Sequence, residues 1–257
     1  MPIQAIKAFN DNYIWVFVNE KTHTFAAVDP GDSNPVLAFA NTHQLKLSDM
    51  LITHHHPDHA GGISELLEIF PSAQVYGPKD DRLPLIQHTV RDENIIHIGC
   101  HDFRVINTPG HTRTHICYQE PTRGWLFCGD TLFSAGCGRV FDGTMEELHQ
   151  SIQLLKSLPK DTKIYCGHEY TLNNLYFAES IEPLHSPIRA HLAFLEQHPS
   201  HCSLPSTIAK EREINPFMRT EMPDIIAYAQ QQGVSAIDSL SVFKLLRQKK
   251  DTFVHSQ

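Results

Sequence analysis

The spacing of apolar positions divides the chain into four stretches. In the first thirty residues Tyr13-Ile14-Trp15-Val16-Phe17-Val18 and Thr24-Phe25-Ala26-Ala27-Val28 read as strands of a hairpin or meander, with Asp11-Asn12 at a turn and Asp29-Pro30-Gly31 closing it. A βαβ rhythm follows: a helix over Pro35–His43, a strand over Met50–Thr53, a helix from about Gly62 to Phe70 and a strand over Gln74–Tyr76. That rhythm implies neighbouring parallel strands. Between Ile95 and Asp130 the pattern changes to short strands parted by turns (95–98, 103–106, 116–118 and 125–128), a mostly antiparallel section. A helix over Met145–Leu158, with Leu148, Ile152 and Leu155 on one face, and a strand over Thr162–Cys166 complete this part. After Glu169 the periodicity is helical throughout, at 172–181, 188–197, 207–213, 225–231 and 235–248. A domain boundary near residues 168 to 175 follows, giving domains 1–168 and 169–257.

The 257 residues are 41% apolar, ample for a real core. Net charge of −8, from 21 basic and 29 acidic residues, disfavours general affinity for nucleic acid or an anionic membrane. No apolar run approaches the ~18 residues of a membrane span, and the N-terminal residues carry no secretory-signal pattern. Six scattered cysteines without CxxC pairs point to reduced thiols and a cytoplasmic protein.

Chemistry concentrates in Thr53-His54-His55-His56-Pro57-Asp58-His59-Ala60-Gly61-Gly62, between the strand ending near Thr53 and the following helix. Four imidazoles and a carboxylate within six positions suit a cation among them, although a solvated His-rich loop would read the same in this stretch alone. Alternation along an extended segment points His54 and His56 the same way, whereas Asp58 and His59 enter the helix start from another angle. Three later strands also end in a turn presenting a ligand-type side chain: Pro109-Gly110-His111, Gly129-Asp130 and Gly167-His168. Together they supply His54, His56 and His111 for one ion, Asp58, His59 and His168 for a second, and Asp130 to bridge both. Imidazole and carboxylate without thiolate suit zinc, iron or manganese. Room left for a bridging water marks a catalytic rather than structural site, and two divalent ions about 3.5–4 Å apart imply metal-assisted hydrolysis.

These motifs resemble the metallo-β-lactamase superfamily: Thr-His-x-His-x-Asp-His at 53–59, Thr-Pro-Gly-His-Thr at 108–112, Cys-Gly-Asp-Thr-Leu-Phe at 128–133 and Cys-Gly-His-Glu-Tyr-Thr at 166–171. More narrowly, Phe-Asn-Asp-Asn-Tyr at 9–13, Ala-Gly-Cys-Gly-Arg at 135–139, Glu-Tyr-Thr-Leu-Asn-Asn at 169–174, Ile-Asn-Pro-Phe-Met-Arg at 214–219 and the basic tail 247–253 resemble the hydroxyacylglutathione hydrolase (glyoxalase II) family. The resemblance implies an α+β fold, an αββα sandwich followed by a small C-terminal α-helical domain. It also implies hydrolysis of S-(R)-lactoylglutathione to glutathione and D-lactate, with Asp130 bridging the ions and orienting the attacking hydroxide. By the same resemblance Arg139, Phe141, Tyr170, Arg247 and Lys250 are substrate contacts in an enzyme expected to work as a monomer. Phe141 departs from members carrying Tyr there, and Arg139 replaces the Lys of others.

Asp29 reads either as a carboxylate that fixes a ligand histidine or as a turn residue before Pro-Gly. His55 should point away from its neighbours, and Cys128, Cys137 and Cys166 read as small packing residues. Two rival activities use related scaffolds, a metal-dependent nuclease and a mononuclear-iron glutathione-persulfide dioxygenase. The acidic charge opposes the first and the complete seven-residue ligand set the second. A binding protein with a silent site is opposed by the same completeness.

Overall fold

The computed structural model describes residues 3–236 and 238–255; Ile237, inside the last predicted helix, and the two ends of the predicted domains lie outside them. Of the hairpin and the meander left open by the sequence the fold has the meander: β1 (Gln4–Ala8), for which no strand is predicted, pairs with β2 (Asn12–Asn19), and β2 with β3 (Thr24–Val28). Next come α1 (Ser33–His43), β4 (Lys46–Leu51), the single turn α2 (Pro57–Ala60), α3 (Ile63–Ile69), β5 (Gln74–Pro78) and β6 (His88–Val90). β7 (Ile95–Ile98), β8 (His101–Asn107), β9 (Ile116–Glu120) and β10 (Trp125–Gly129) are antiparallel neighbours, and β11 (Leu132–Phe133) pairs with β12 (Gly136–Cys137). The remainder is α4 (Met145–Lys156), β13 (Lys163–Cys166), α5 (Thr171–Ile181), α6 (Ser186–Gln197), β14 (Ser206–Thr207), α7 (Ile208–Ile214), a 3-10 turn at Pro216–Met218, α8 (Pro223–Gln231) and α9 (Ser239–Asp251). The last helix starts later than its apolar pattern implies because the Asp238 side chain caps it, accepting from the Ser241 amide.

The chain divides into two units. One is built from the residues up to Thr108, Thr114–Gly129 and Tyr165–His168; the other from Pro109–Arg113, Asp130–Ile164 and the chain from Glu169 onward. In the first, β1 to β6 form a six-stranded sheet in sequential order, antiparallel through β3 and parallel from β3 to β6, as the βαβ rhythm requires. A second sheet runs β13-β10-β9-β8-β7. Strand β2 shows why its sequence is apolar at every position from Tyr13 to Val18 rather than alternating. Ile14 and Val16 pack with Val36 and Ala40 of α1 and Leu66 of α3. On the other face Phe17 meets Phe103 and Phe127 of the second sheet, at 5.4 and 6.0 Å between ring centroids. A strand covered on both faces has no polar side to show.

In the second unit, Leu175 and Ala178 of α5 pack against Ile188, Leu192 and Leu195 of α6, with Ala135 and Ile214. Thr144 and Glu147 form a capping box at the start of α4, whose Leu148, Ile152 and Leu155 are buried as the periodicity requires. The first half of β13 pairs with β14. Glu182 and Arg219 make a two-pronged buried ion pair. Among the described residues no helix is long and apolar enough to cross a membrane.

Replacing Glu182 by Ala strands the Arg219 guanidinium in a buried site, and the expected cost is about 3–5 kcal/mol. Urea unfolding measures it, with Arg104→Ala at the exposed Glu93 pair as the control that leaves the midpoint unchanged.

Candidate metal centre

Asp29 follows β3 with its backbone in the left-handed region, φ 52°. Its carboxylate is buried and works as a clamp: Oδ1 accepts the Thr53 amide at 2.8 Å, and Oδ2 accepts the Thr53 hydroxyl at 2.7 Å and His59 Nδ1 at 3.0 Å. Of its two readings from sequence, the carboxylate that fixes a histidine is the one adopted. With its proton given to Asp29, Thr53 Oγ1 accepts from His54 Nδ1 at 3.0 Å, which directs the lone pair of His54 Nε2 towards His56 Nδ1, also at 3.0 Å. Gly31 lets the start of α2 come close, since a Cβ there would lie 1.9 Å from the Asp58 carbonyl oxygen.

His59 and His168 have their Nδ1 atoms committed, the first to Asp29 and the second to Asp11 Oδ1 at 2.8 Å. Each Nε2 therefore carries a lone pair. The two stand 3.3 Å apart, at 3.5 and 3.4 Å from Asp58 Oδ2. Burial opposes ionisation of Asp58, but the Asn12 amide, together with His168 and His59 whenever a proton sits on the Nε2 facing it, outweighs burial and holds the carboxyl well below the usual carboxylate range. Two imidazole lone pairs and a carboxylate cannot face one another without a shared proton or cation. Their nitrogen and oxygen donors, with no thiolate, fit a divalent metal ion.

The second unit places His111 and Asp130 together. His111 Nδ1 donates to the Arg139 carbonyl at 2.8 Å, leaving Nε2 towards Asp130 Oδ2 at 3.5 Å. Gly138 permits this: a Cβ would fall 2.0 Å from the Asp130 carbonyl oxygen and 3.0 Å from His111 Nδ1. The exposed Phe141 ring stands edge-on to His111, at 5.2 Å between centroids, and the Tyr170 ring packs on Phe133. Arg139 is exposed, with Nε 3.4 Å from Asp251. Arg247 is 4% exposed; its Nη1 donates to the Cys137 carbonyl at 2.8 Å, its Nε to Asp251 at 3.0 Å, and its guanidinium lies over Phe217. Lys250 donates to the Asn173 carbonyl at 3.1 Å and sits over Phe177 and Phe253; burial, with help from the Arg247 charge, pushes its ammonium down to about 8. Burial pushes the Cys137 thiol up to about 11 against the pull of Arg247, so it is a packing residue and no nucleophile.

Three supporting residues escaped the sequence reading as site residues. Asp11 and Asn12 were placed only at a turn, yet one orients His168 and the other donates to Asp58 Oδ2 at 3.0 Å. The signal lay in the Phe-Asn-Asp-Asn-Tyr motif, whose Asn12 bridges to His168 in antiparallel register. His115 is fully buried and stacks on His54 at 4.9 Å between centroids, its Nδ1 held by Thr108 Oγ1. Nothing in the local pattern around His115 marks it.

The family model of the metallo-beta-lactamase superfamily matches residues 14–168, and that of the hydroxyacylglutathione hydrolase C-terminus matches residues 169–253. A hydroxyacylglutathione hydrolase of Legionella pneumophila (strain Corby) is 49% identical over 253 residues, spanning 98% of this chain and all of its own length. One from Vibrio cholerae serotype O1 (strain ATCC 39541 / Classical Ogawa 395 / O395) is 44% identical over 256 residues, with the same coverage of both chains. Among solved structures, the B3 metallo-beta-lactamase BLEG-1 shares the fold with a TM-score of 0.66 at 23% identity, covering 84% of this chain and 99% of its own. With the fold, the donor clusters and full-length identity of this degree in agreement, the chain belongs to the hydroxyacylglutathione hydrolase family of the metallo-β-lactamase superfamily.

Proposed function

We propose that the chain hydrolyses the thioester of S-(R)-lactoylglutathione to glutathione and D-lactate in the cytoplasm, acting as a monomer. The observation that carries this reading is the convergence of two imidazole lone pairs on the Asp58 carboxylate, in a member of a family whose named relatives are hydroxyacylglutathione hydrolases. In the proposed site His54, His56 and His111 hold one divalent ion, Asp58, His59 and His168 hold the other, and Asp130 is shared. Zinc is the ion proposed, with iron or manganese suited to the same donors. When bound, the pair supplies Lewis acidity, activating water and polarising the thioester carbonyl.

The chain's own residues orient and bind. Asp29 and Asp11 fix the tautomers of His59 and His168, and Thr53 fixes that of His54. A thiol of pKa about 8.5 departs as the anion, so no strong acid is required of the chain at the leaving group. Glutathione brings two carboxylates, and the cations proposed to meet them are Arg139 and Lys250. Arg247 acts through the Cys137 carbonyl, holding the loop that carries Arg139, while Phe141 and Tyr170 line the substrate. The proposed division of labour is a catalytic domain over 1–168 and a substrate-binding domain over 169–257.

Purified protein should consume the thioester absorbance of S-D-lactoylglutathione, lose that activity to a chelator and regain it with zinc or another divalent ion; a metal-replete sample without turnover contradicts the reading. Asp29→Ala should weaken metal binding by about 10–100-fold, measured by competition with a chromophoric chelator rather than by turnover. Because Lys250 is charged below about pH 8 and neutral above it, KM for glutathione thioesters should climb as pH passes through that value. Lys250→Gln should start with the higher KM and show a flat profile.

A further inference from the structure

We propose that Cys100, His101 and Glu120 form a thiol–disulfide exchange site that takes neutral low-molecular-weight disulfides. It goes beyond the hydrolase reading and uses none of its residues. Cys100 sits exposed in the turn between β7 and β8, and its Sγ is 3.6 Å from His101 Nε2. On the far side of the ring, His101 Nδ1 is 3.6 Å from Glu120 Oε1, and Glu120 is buried. A nucleophile, a base and a carboxylate that orients the base thus stand in sequence. The nearby carboxylate favours one tautomer electrostatically: with Nδ1–H towards Glu120, Nε2 has the lone pair that faces the thiol. Burial pushes the imidazole below its ordinary value against the opposing pull of Glu120, so the ring is neutral and able to take a proton.

Cys100 and His101 also line a cleft of about 310 Å³, room for a small molecule. Phe17, Phe25 and Ile98 give it an apolar floor, and Thr24, Ser48 and Asp49 give it polar walls. Asp49 is the charged side chain of that lining, which disfavours an anionic reagent. The cleft lies towards the starts of β3 and β4, whereas Asp29 and the histidine loop follow the ends of the same strands. In the exchange the Cys100 proton passes to His101 Nε2 and the thiolate attacks one sulfur of the reagent. The reagent's S–S bond breaks as a mixed disulfide forms on Cys100, and the departing thiolate takes the proton back from His101. The reagent disulfide is the oxidant, and one equivalent of thiol is released.

The test treats the metal-loaded protein with hydroxyethyl disulfide or with glutathione disulfide and follows the adduct by mass spectrometry of the intact chain and its peptides. The expected result is one adduct, on Cys100, forming at least tenfold faster than on the same cysteine in urea-unfolded protein and faster with hydroxyethyl disulfide than with the anionic reagent. His101→Gln should remove that advantage, and hydrolase activity should survive modification. Adducts appearing first on Cys202, equal rates in native and unfolded protein, a faster reaction with glutathione disulfide, or an unchanged rate in His101→Gln would each overturn the proposal.

Discussion

One buried carboxylate organises the ligand loop. Asp29 binds the amide and hydroxyl of Thr53 and the imidazole of His59, so it joins the end of β4 to the start of α2 and fixes the residues between them from both sides. Its left-handed backbone narrows the choice of residue: Asp and Asn visit that region at the least cost after Gly. Of the two, only Asp offers two acceptor oxygens, and all three donors here need an acceptor. The turn residue and the histidine anchor are therefore the same requirement met twice. The Thr53 hydroxyl extends the effect by passing the constraint on to His54.

Much of the candidate site was legible in the sequence because each candidate ligand follows a short apolar strand that ends in a tight turn. Strand endings are set by local pattern, so His54, His56, Asp58, His59, His111, Asp130 and His168 could be singled out from their own neighbourhoods. The supporting residues obey no such rule. Asp11 lies 157 positions from His168 along the chain, and no periodicity reports a contact of that range. His115 was hidden because a buried histidine stacked on another leaves no spacing signature. The basic tail shows a different limit. The resemblance gives Arg247 and Lys250 one shared role as substrate contacts, whereas in the fold their partners differ: Arg247 donates to the Cys137 carbonyl and to Asp251, and Lys250 to the Asn173 carbonyl.

Elements followed the same logic. Strands with aromatic or β-branched runs, such as β2 and β3, were read nearly to their ends, whereas β6, β11, β12 and β14 are two or three residues long and lack a pattern to detect. In the second unit, the segment from Ser134 to Gly138 owes its shape to side chains from afar. Buried Glu211 accepts from the Ser134 hydroxyl and the Ala135 amide, Asn215 donates to the Gly136 carbonyl, and Arg247 takes the Cys137 carbonyl. Glu211 of α7, Asn215 just past its end and Arg247 of α9 thus hold a segment with almost no regular structure of its own.

The Trp15 indole gives its proton to the carbonyl of Cys166, across 151 positions of sequence. During synthesis the strand bearing Trp15 and the whole histidine loop leave the ribosome long before β13 does. Until then β10 has β9 on one side but lacks β13 on the other, and the Asp58–His59 pair lacks His168. Closure of so long a loop is slow relative to local contacts, so the nascent chain spends a long interval with the first residues of this donor cluster present and its last one missing. The order of translation thereby makes a half-built donor cluster an obligatory stage in the life of this protein.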